Sequence, residues 1–142
     1  MSFGDLPDDL PAVPLLLRSA RGSYASAIRV AIASAGLPAL PTNGPLILGG
    51  LHDGTLSFSQ LVDQRRNSIE KYQTVETLRQ SGYVIGPEDA PVLSESGHRA
   101  AHVVVETIAE LTDSLSRCLG HEGMASFVKG LLFLIGEKES GR

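Results

Sequence analysis

The stretch LSFSQLVDQRRNSIEKYQTVETLRQSGYVIGPEDAPVLSESG, residues 56–97, decides the fold. Its first residues carry two helix-start signals together. Ser57 with Gln60 fits a capping box, and Leu56 with Leu61 fits the hydrophobic staple around it. After a break at Gln64-Arg65-Arg66, Asn67 with Glu70 forms a second capping box, and the helix it opens is predicted to run to about Ser81. Ile69, Tyr72, Val75 and Leu78 recur at near-helical spacing and predict one inward face. Lys71, Gln73, Thr74 and Thr77 leave the rest of the surface polar. Gly82 ends that helix. Tyr83-Val84-Ile85 and Pro91-Val92-Leu93 are β-prone runs on either side of Gly86-Pro87-Glu88-Asp89-Ala90, the pattern of a hairpin with its proline and acids in the loop. Two short helices and a hairpin in this order predict a helix-turn-helix followed by a wing.

Working outward, Leu17, Ala20, Tyr24, Ala27, Ile28, Ala31 and Ala35 mark an amphipathic helix over 14–35, with Pro14 in its first turn and Gly36 and Pro38 at its end. Leu46 to Leu51 reads as a short buried helix that Thr42 or Asn43 can cap, ending near Asp53-Gly54. Beyond the wing, Ser94 or Ser96 can cap a long helix with Ala101, Val104, Val105, Ile108, Leu111, Leu115 and Cys118 along one face. Gly120 terminates it. A last helix, about Glu122 to Ile135, is apolar almost all round its final turns. A chain this small is expected to cover that surface with a second subunit.

Length and composition bound the rest. A chain of 142 residues has room for one domain. A net charge of -4 excludes a polybasic protein that coats nucleic acid indiscriminately, and the absence of Trp argues against a single-strand binder with many stacking rings. The charge is uneven, however. Residues 14–50 hold three arginines and no acid, whereas both ends of the chain lean acidic. One cysteine excludes an internal disulfide framework, and its place on an apolar stripe predicts a buried, inert thiol. The start is acidic where a secretory signal is basic, and no continuous apolar run approaches the roughly 18 residues of a membrane span. A cytoplasmic protein with no membrane partner is expected. No nucleophile elbow, phosphate-cradling glycine loop or carboxylate pair in a pocket setting is present, so no enzyme and no cofactor are expected. His98 and His102 lie four apart on one helix face as two ligands can, but no local cluster completes a site, and no metal is expected.

The order of elements resembles the multiple-antibiotic-resistance-regulator (MarR) family of winged helix-turn-helix regulators. The resemblance covers about 14–135. It rests on Leu37-Pro38 before an apolar helix, Leu56-Ser57 opening the third helix, Leu78-Arg79-Gln80-Ser81-Gly82-Tyr83-Val84 leading from the recognition helix into the wing, and Val92-Leu93-Ser94-Glu95-Ser96-Gly97 opening the fifth helix. It implies a mostly α fold with a short two-stranded β-wing, dimerisation helices over 14–35 and 95–136, and a DNA-binding lobe over 42–94. It further implies a bacterial homodimeric repressor on a pseudo-palindromic duplex operator, modulated by a small, aromatic ligand. Arginine matches guanine, and asparagine or glutamine matches adenine, through paired hydrogen bonds. On that basis Arg65, Arg66, Asn67, Ser68, Lys71, Gln73 and Thr74 are the candidate DNA contacts, with Ser57, Ser59 and Lys71 suited to phosphate. Tyr24 and His52 are the candidate ligand contacts. The chain departs from the family in its wing, which lacks the usual Asp-x-Arg motif and holds Glu88 and Asp89 instead. A degenerate dimer that binds a small molecule or a protein, without productive DNA binding, is the alternative.

Overall fold

The computed structural model describes residues 13–53, 68–87 and 90–136. The chain divides into two compact units, Met1–Thr107 and Ile108–Arg142. The first contains α1 (Val13–Ser34), α2 (Gly44–Asp53), α3 (Ser68–Gln80), β1 (Val84–Ile85), β2 (Val92–Leu93) and the opening turns of α4 (Glu95–Ile135); the second contains the rest of α4.

Two of these helices end in the same way. At α1, Gly36 sits at φ 74° and Leu37 N–H reaches back to the carbonyl of Ile32 at 3.1 Å, while Gly36 N–H bonds Ala33 at 3.0 Å. At α3, Gly82 sits at φ 85°, with Tyr83 N–H on Leu78 at 2.9 Å and Gly82 N–H on Arg79 at 3.0 Å. Both are Schellman motifs. The left-handed residue lets the chain turn back and satisfy the last carbonyls, and the apolar residue after it (Leu37, Tyr83) is buried with its partner one turn inside the helix (Ile32, Leu78). These glycines therefore do more than stop helices. They direct the following residue into the core.

That core is one cluster: Ile28 and Ile32 of α1, Leu37, Ile47 and Leu48 of α2, Val75 and Leu78 of α3, Tyr83, Val84, Leu93, and Ala100, Ala101 and Val104 of α4. The α2 helix packs on α3 and on β2, and α3 packs on β1. The antiparallel strands pair Val84 with Leu93 and Ile85 with Val92, so the first pair faces the core and the second faces out. No polar or charged residue is buried among the described residues.

The start of α4 is fixed against the wing. Ser94, of the two serines expected to cap it, is the N-cap: its Oγ accepts from Gly97 N–H at 3.0 Å and donates to the carbonyl of Gly82 at 2.6 Å. Its N–H donates to the carbonyl of Tyr83 at 2.9 Å. A Cβ on Gly97 would meet that carbonyl oxygen at 2.1 Å, so only glycine fits where α4 crosses the strand.

In the second unit α4 continues to Ile135, where the sequence suggests two helices. Gly120, at φ 78° and ψ 172°, is non-helical and kinks it at the expected break. Cys118 is exposed, which corrects the expectation of a buried thiol. Beyond the kink, Phe127, Val128, Leu132, Phe133, Leu134 and Ile135 are all exposed, Phe133 by 80%, so the apolar end of α4 is bare among the described residues. An 18-residue window of α4 reaches a mean hydropathy of 1.3 with none of it buried. The expectation that no stretch approaches a membrane span in apolarity is thereby corrected, because summing over a window hides isolated polar residues that interrupt a continuous run. The α1 stripe shows the same thing. Of its members only Ile28 is buried, joined by Ile32 one turn on, and Leu17 is exposed, as are Leu15 and Leu16 beside it. In α2, Leu46 is 66% exposed, so that helix buries only one side.

Candidate nucleic-acid interface

The α3 helix presents two faces. Val75 and Leu78 are buried against α2 and β1. On the opposite face Gln73, Thr77 and Gln80 are exposed, three and four residues apart. Thr77 Oγ1 donates to the carbonyl of Gln73 at 3.0 Å, which holds the hydroxyl on the helix. The expected apolar stripe is only partly buried, since Tyr72 is 41% exposed. A spacing of three residues drifts round a helix of 3.6 per turn, so its members cannot all share one narrow face.

Of the candidate DNA contacts, Gln73 is exposed and Thr74 is half-buried. Ser68 and Lys71 stand in the first turn of α3. Ser57, Ser59, Arg65, Arg66 and Asn67 lie outside the described residues, as do both capping boxes' opening residues and the helix expected after Leu56. Thr77 and Gln80 join Gln73 on the exposed face although the sequence reading did not select them. Their four- and seven-residue offsets from Gln73 carried the signal.

The wing is attached to this helix by Arg79. Its Nη1 donates to the carbonyl of Gly86 at 2.6 Å and its Nη2 to that of Pro87 at 3.5 Å, while Nε lies 3.8 Å from Glu76 Oε1. Nε is buried and makes no hydrogen bond. An arginine that by charge alone belongs with the DNA contacts is thus occupied in holding the first residues of the wing loop. Beyond it the loop sequence offers only acids, and the outward pair Ile85 and Val92 is apolar and half-exposed or more. At the wing's base Tyr83 is fully buried and its hydroxyl donates to the carbonyl of Pro38 at 2.5 Å, tying the α1–α2 link to β1. Burial raises the phenol's pKa above its ordinary 10.0, and the Arg99 charge partly offsets this.

A cavity of about 570 Å³ lies between α1 and the link to α2. Ala25, Ile28, Ile32, Leu37 and Leu40 make its walls apolar, and Arg29 is its only charged lining residue among the described residues. Neither Tyr24 nor His52 lines it. Instead, His52, in the last turn of α2, meets His98, in the first turn of α4, with their Nδ1 atoms 3.2 Å apart. His102 pairs with Glu106, Nε2 to Oε2 3.1 Å.

Neither a protein-family model nor any curated sequence matches the chain. Its fold matches solved structures over most of both chains. Ligand-free NadR superposes with a TM-score of 0.65 at 20% identity, covering 88% of this chain and 93% of NadR. NadR in complex with 4-hydroxyphenylacetate gives 0.58 at 22% identity over 88% and 92%. A Clostridium acetobutylicum protein assigned to the MarR family of transcriptional regulators gives 0.55 at 14% identity over 89% and 97%. The chain therefore has the mostly helical winged-helix fold of MarR-type proteins, as the sequence resemblance implied.

Proposed function

We propose that the protein is a MarR-like transcriptional regulator, a homodimer that binds a pseudo-palindromic DNA operator, acts as a repressor in the bacterial cytoplasm, and responds to a small molecule. The observation that carries this reading is the polar face of Gln73, Thr77 and Gln80 on α3, held beside a wing by Arg79, in a fold shared with NadR. A helix with amides and a hydroxyl along one exposed ridge reads base edges in a major groove, and cations at its N-terminal side hold phosphates. Arg65, Arg66 and Lys71, with Ser57, Ser59, Asn67, Ser68 and Thr74, remain the proposed contacts around it.

The bare apolar surfaces of α1 and of the end of α4 support a homodimer, because exposed leucines and phenylalanines at this density are normally covered in solution. The 570 Å³ cavity supports a ligand with an apolar body and an anionic group for Arg29. NadR is solved with such a compound, 4-hydroxyphenylacetate. Tyr24 and His52 stay secondary candidates for that ligand. Nothing in these features calls for an enzyme.

A second reading is favoured by the wing. With Glu88 and Asp89 in its loop and Arg79 committed to its backbone, it repels phosphate, as expected of a dimer that binds a ligand or protein but not DNA. Gel shifts and a salt series on the DNA upstream of the gene distinguish the two. Specific binding that tightens as salt falls, and that Arg65→Ala with Arg66→Ala weakens, supports the regulator. A folded dimer with no specific binding at low salt supports the second reading.

A further inference from the structure

We infer that His52 and His98 form a binding site for a divalent transition-metal ion, joining the last turn of α2 to the first turn of α4. Two imidazole nitrogens bound to one ion at about 2.0–2.1 Å, with an angle of roughly 90–109° between them, lie about 2.9–3.4 Å apart. The two Nδ1 atoms are 3.2 Å apart, inside that window. The rings meet edge to face, with centroids 5.4 Å apart and planes at 62°, so they do not stack, and the contact is a hydrogen bond in which one Nδ1–H donates to the other Nδ1. An ion binding both nitrogens replaces that bond, the donor's proton moving to Nε2 of its own ring. Both side chains are exposed, so the metal reaches them without opening the core.

The remaining coordination positions belong to water. Among the described residues no group of three His, Cys, Asp or Glu side chains is placed to hold an ion. Beside His98 an open cleft of about 390 Å³, lined also by Glu95, Arg99 and His102, leaves room for those waters. Glu95 and Arg99 are exposed and opposite in charge, so neither sign dominates the cleft. The pair differs from the one that sequence spacing offers. His98 and His102 share a helix face, but His102 is paired with Glu106, whereas His98 meets a histidine 46 residues away in sequence. A two-nitrogen site with water at its open positions takes Cu²⁺ most tightly among the common first-row ions, then Zn²⁺ and Ni²⁺ less so. The site stands independently of the DNA-binding reading.

The test is titration of the untagged protein with Cu²⁺, read by calorimetry and by electron paramagnetic resonance. One ion per chain with hyperfine structure from two nitrogens is expected. His52→Ala and His98→Ala should each weaken binding at least tenfold and leave a one-nitrogen pattern, while His102→Ala leaves binding within twofold of the unaltered protein. Zn²⁺ should compete for the same site. The unaltered protein's spectrum decides the question even if a variant folds poorly. Absence of saturable binding, a pattern without two nitrogens, or loss of binding in His102→Ala but not in His52→Ala overturns the assignment.

Discussion

Gly97 carries a steric demand that its neighbours in sequence do not reveal. The carbonyl of Tyr83 stands where its Cβ would be, at 2.1 Å, and the obstacle is backbone, which cannot rotate away as a side chain does. Gly97→Ala should therefore separate α4 from the wing and cost roughly 2–3 kcal/mol by overpacking, measured as a lowered midpoint in urea with an unchanged slope. Tyr83, whose carbonyl makes that contact, also contributes through its hydroxyl. Its pKa is raised in the folded protein, so the neutral phenol is the form that folding favours. The associated stability is fully present below pH 10.0 and is lost as pH rises through the folded-state value. Denaturation measured from pH 8 to 11 should show this alkaline loss, reduced in Tyr83→Phe. At neutral pH that variant should also be less stable by about 1–2 kcal/mol, because the carbonyl of Pro38 loses its donor. From sequence, Tyr83 read only as a β-prone residue, since a bond to a residue 45 positions away follows from tertiary packing and not from local pattern.

Element ends were the most legible part of the sequence, because they depend on residues close in the chain. Gly36, Gly82, Ser94 and Gly120 each mark an end, a cap or a kink where the pattern placed one. Faces were less legible. Three-residue spacing put Tyr72 inward, whereas α3 leaves it 41% exposed, and Thr77, one turn beyond Gln73, belongs to the polar ridge. The role of Arg79 was not legible at all. In the sequence it stands only within the run that leads from α3 into the wing, and tertiary packing alone puts its guanidinium on the carbonyls of Gly86 and Pro87. Arg79→Ala should free the wing from α3. Amide hydrogen exchange at Ile85 and Val92 should accelerate severalfold, with little change at Val75 and Leu78 in the core. Uniform protection across the wing in that variant would show that the strand pairing alone holds it.

At the scale of the molecule, the exposed apolar residues are what the proposed dimer accounts for. Leu15, Leu16 and Leu17 on α1, and Phe127, Val128, Leu132, Phe133, Leu134 and Ile135 on α4, are far more apolar surface than a stable monomer leaves bare. Membrane insertion is a weaker account of α4, because Glu122 and Lys129 lie within its apolar last stretch. A second copy of the chain is the simplest cover, since an isologous interface buries the same patch twice. Sedimentation of the purified protein should give twice the mass of the 15.0 kDa chain. Phe133, 80% exposed in the single chain, is the residue to alter, because a charge there costs the isolated chain almost nothing but is expensive inside an interface. Phe133→Asp should leave the far-UV circular dichroism of the folded chain intact and shift the mass toward 15.0 kDa as concentration falls, at concentrations where the unaltered protein stays dimeric. The same variant should lose the proposed operator binding with its second half-site contact. A monomeric Phe133→Asp that bound the full operator as tightly as before would separate DNA binding from dimerisation.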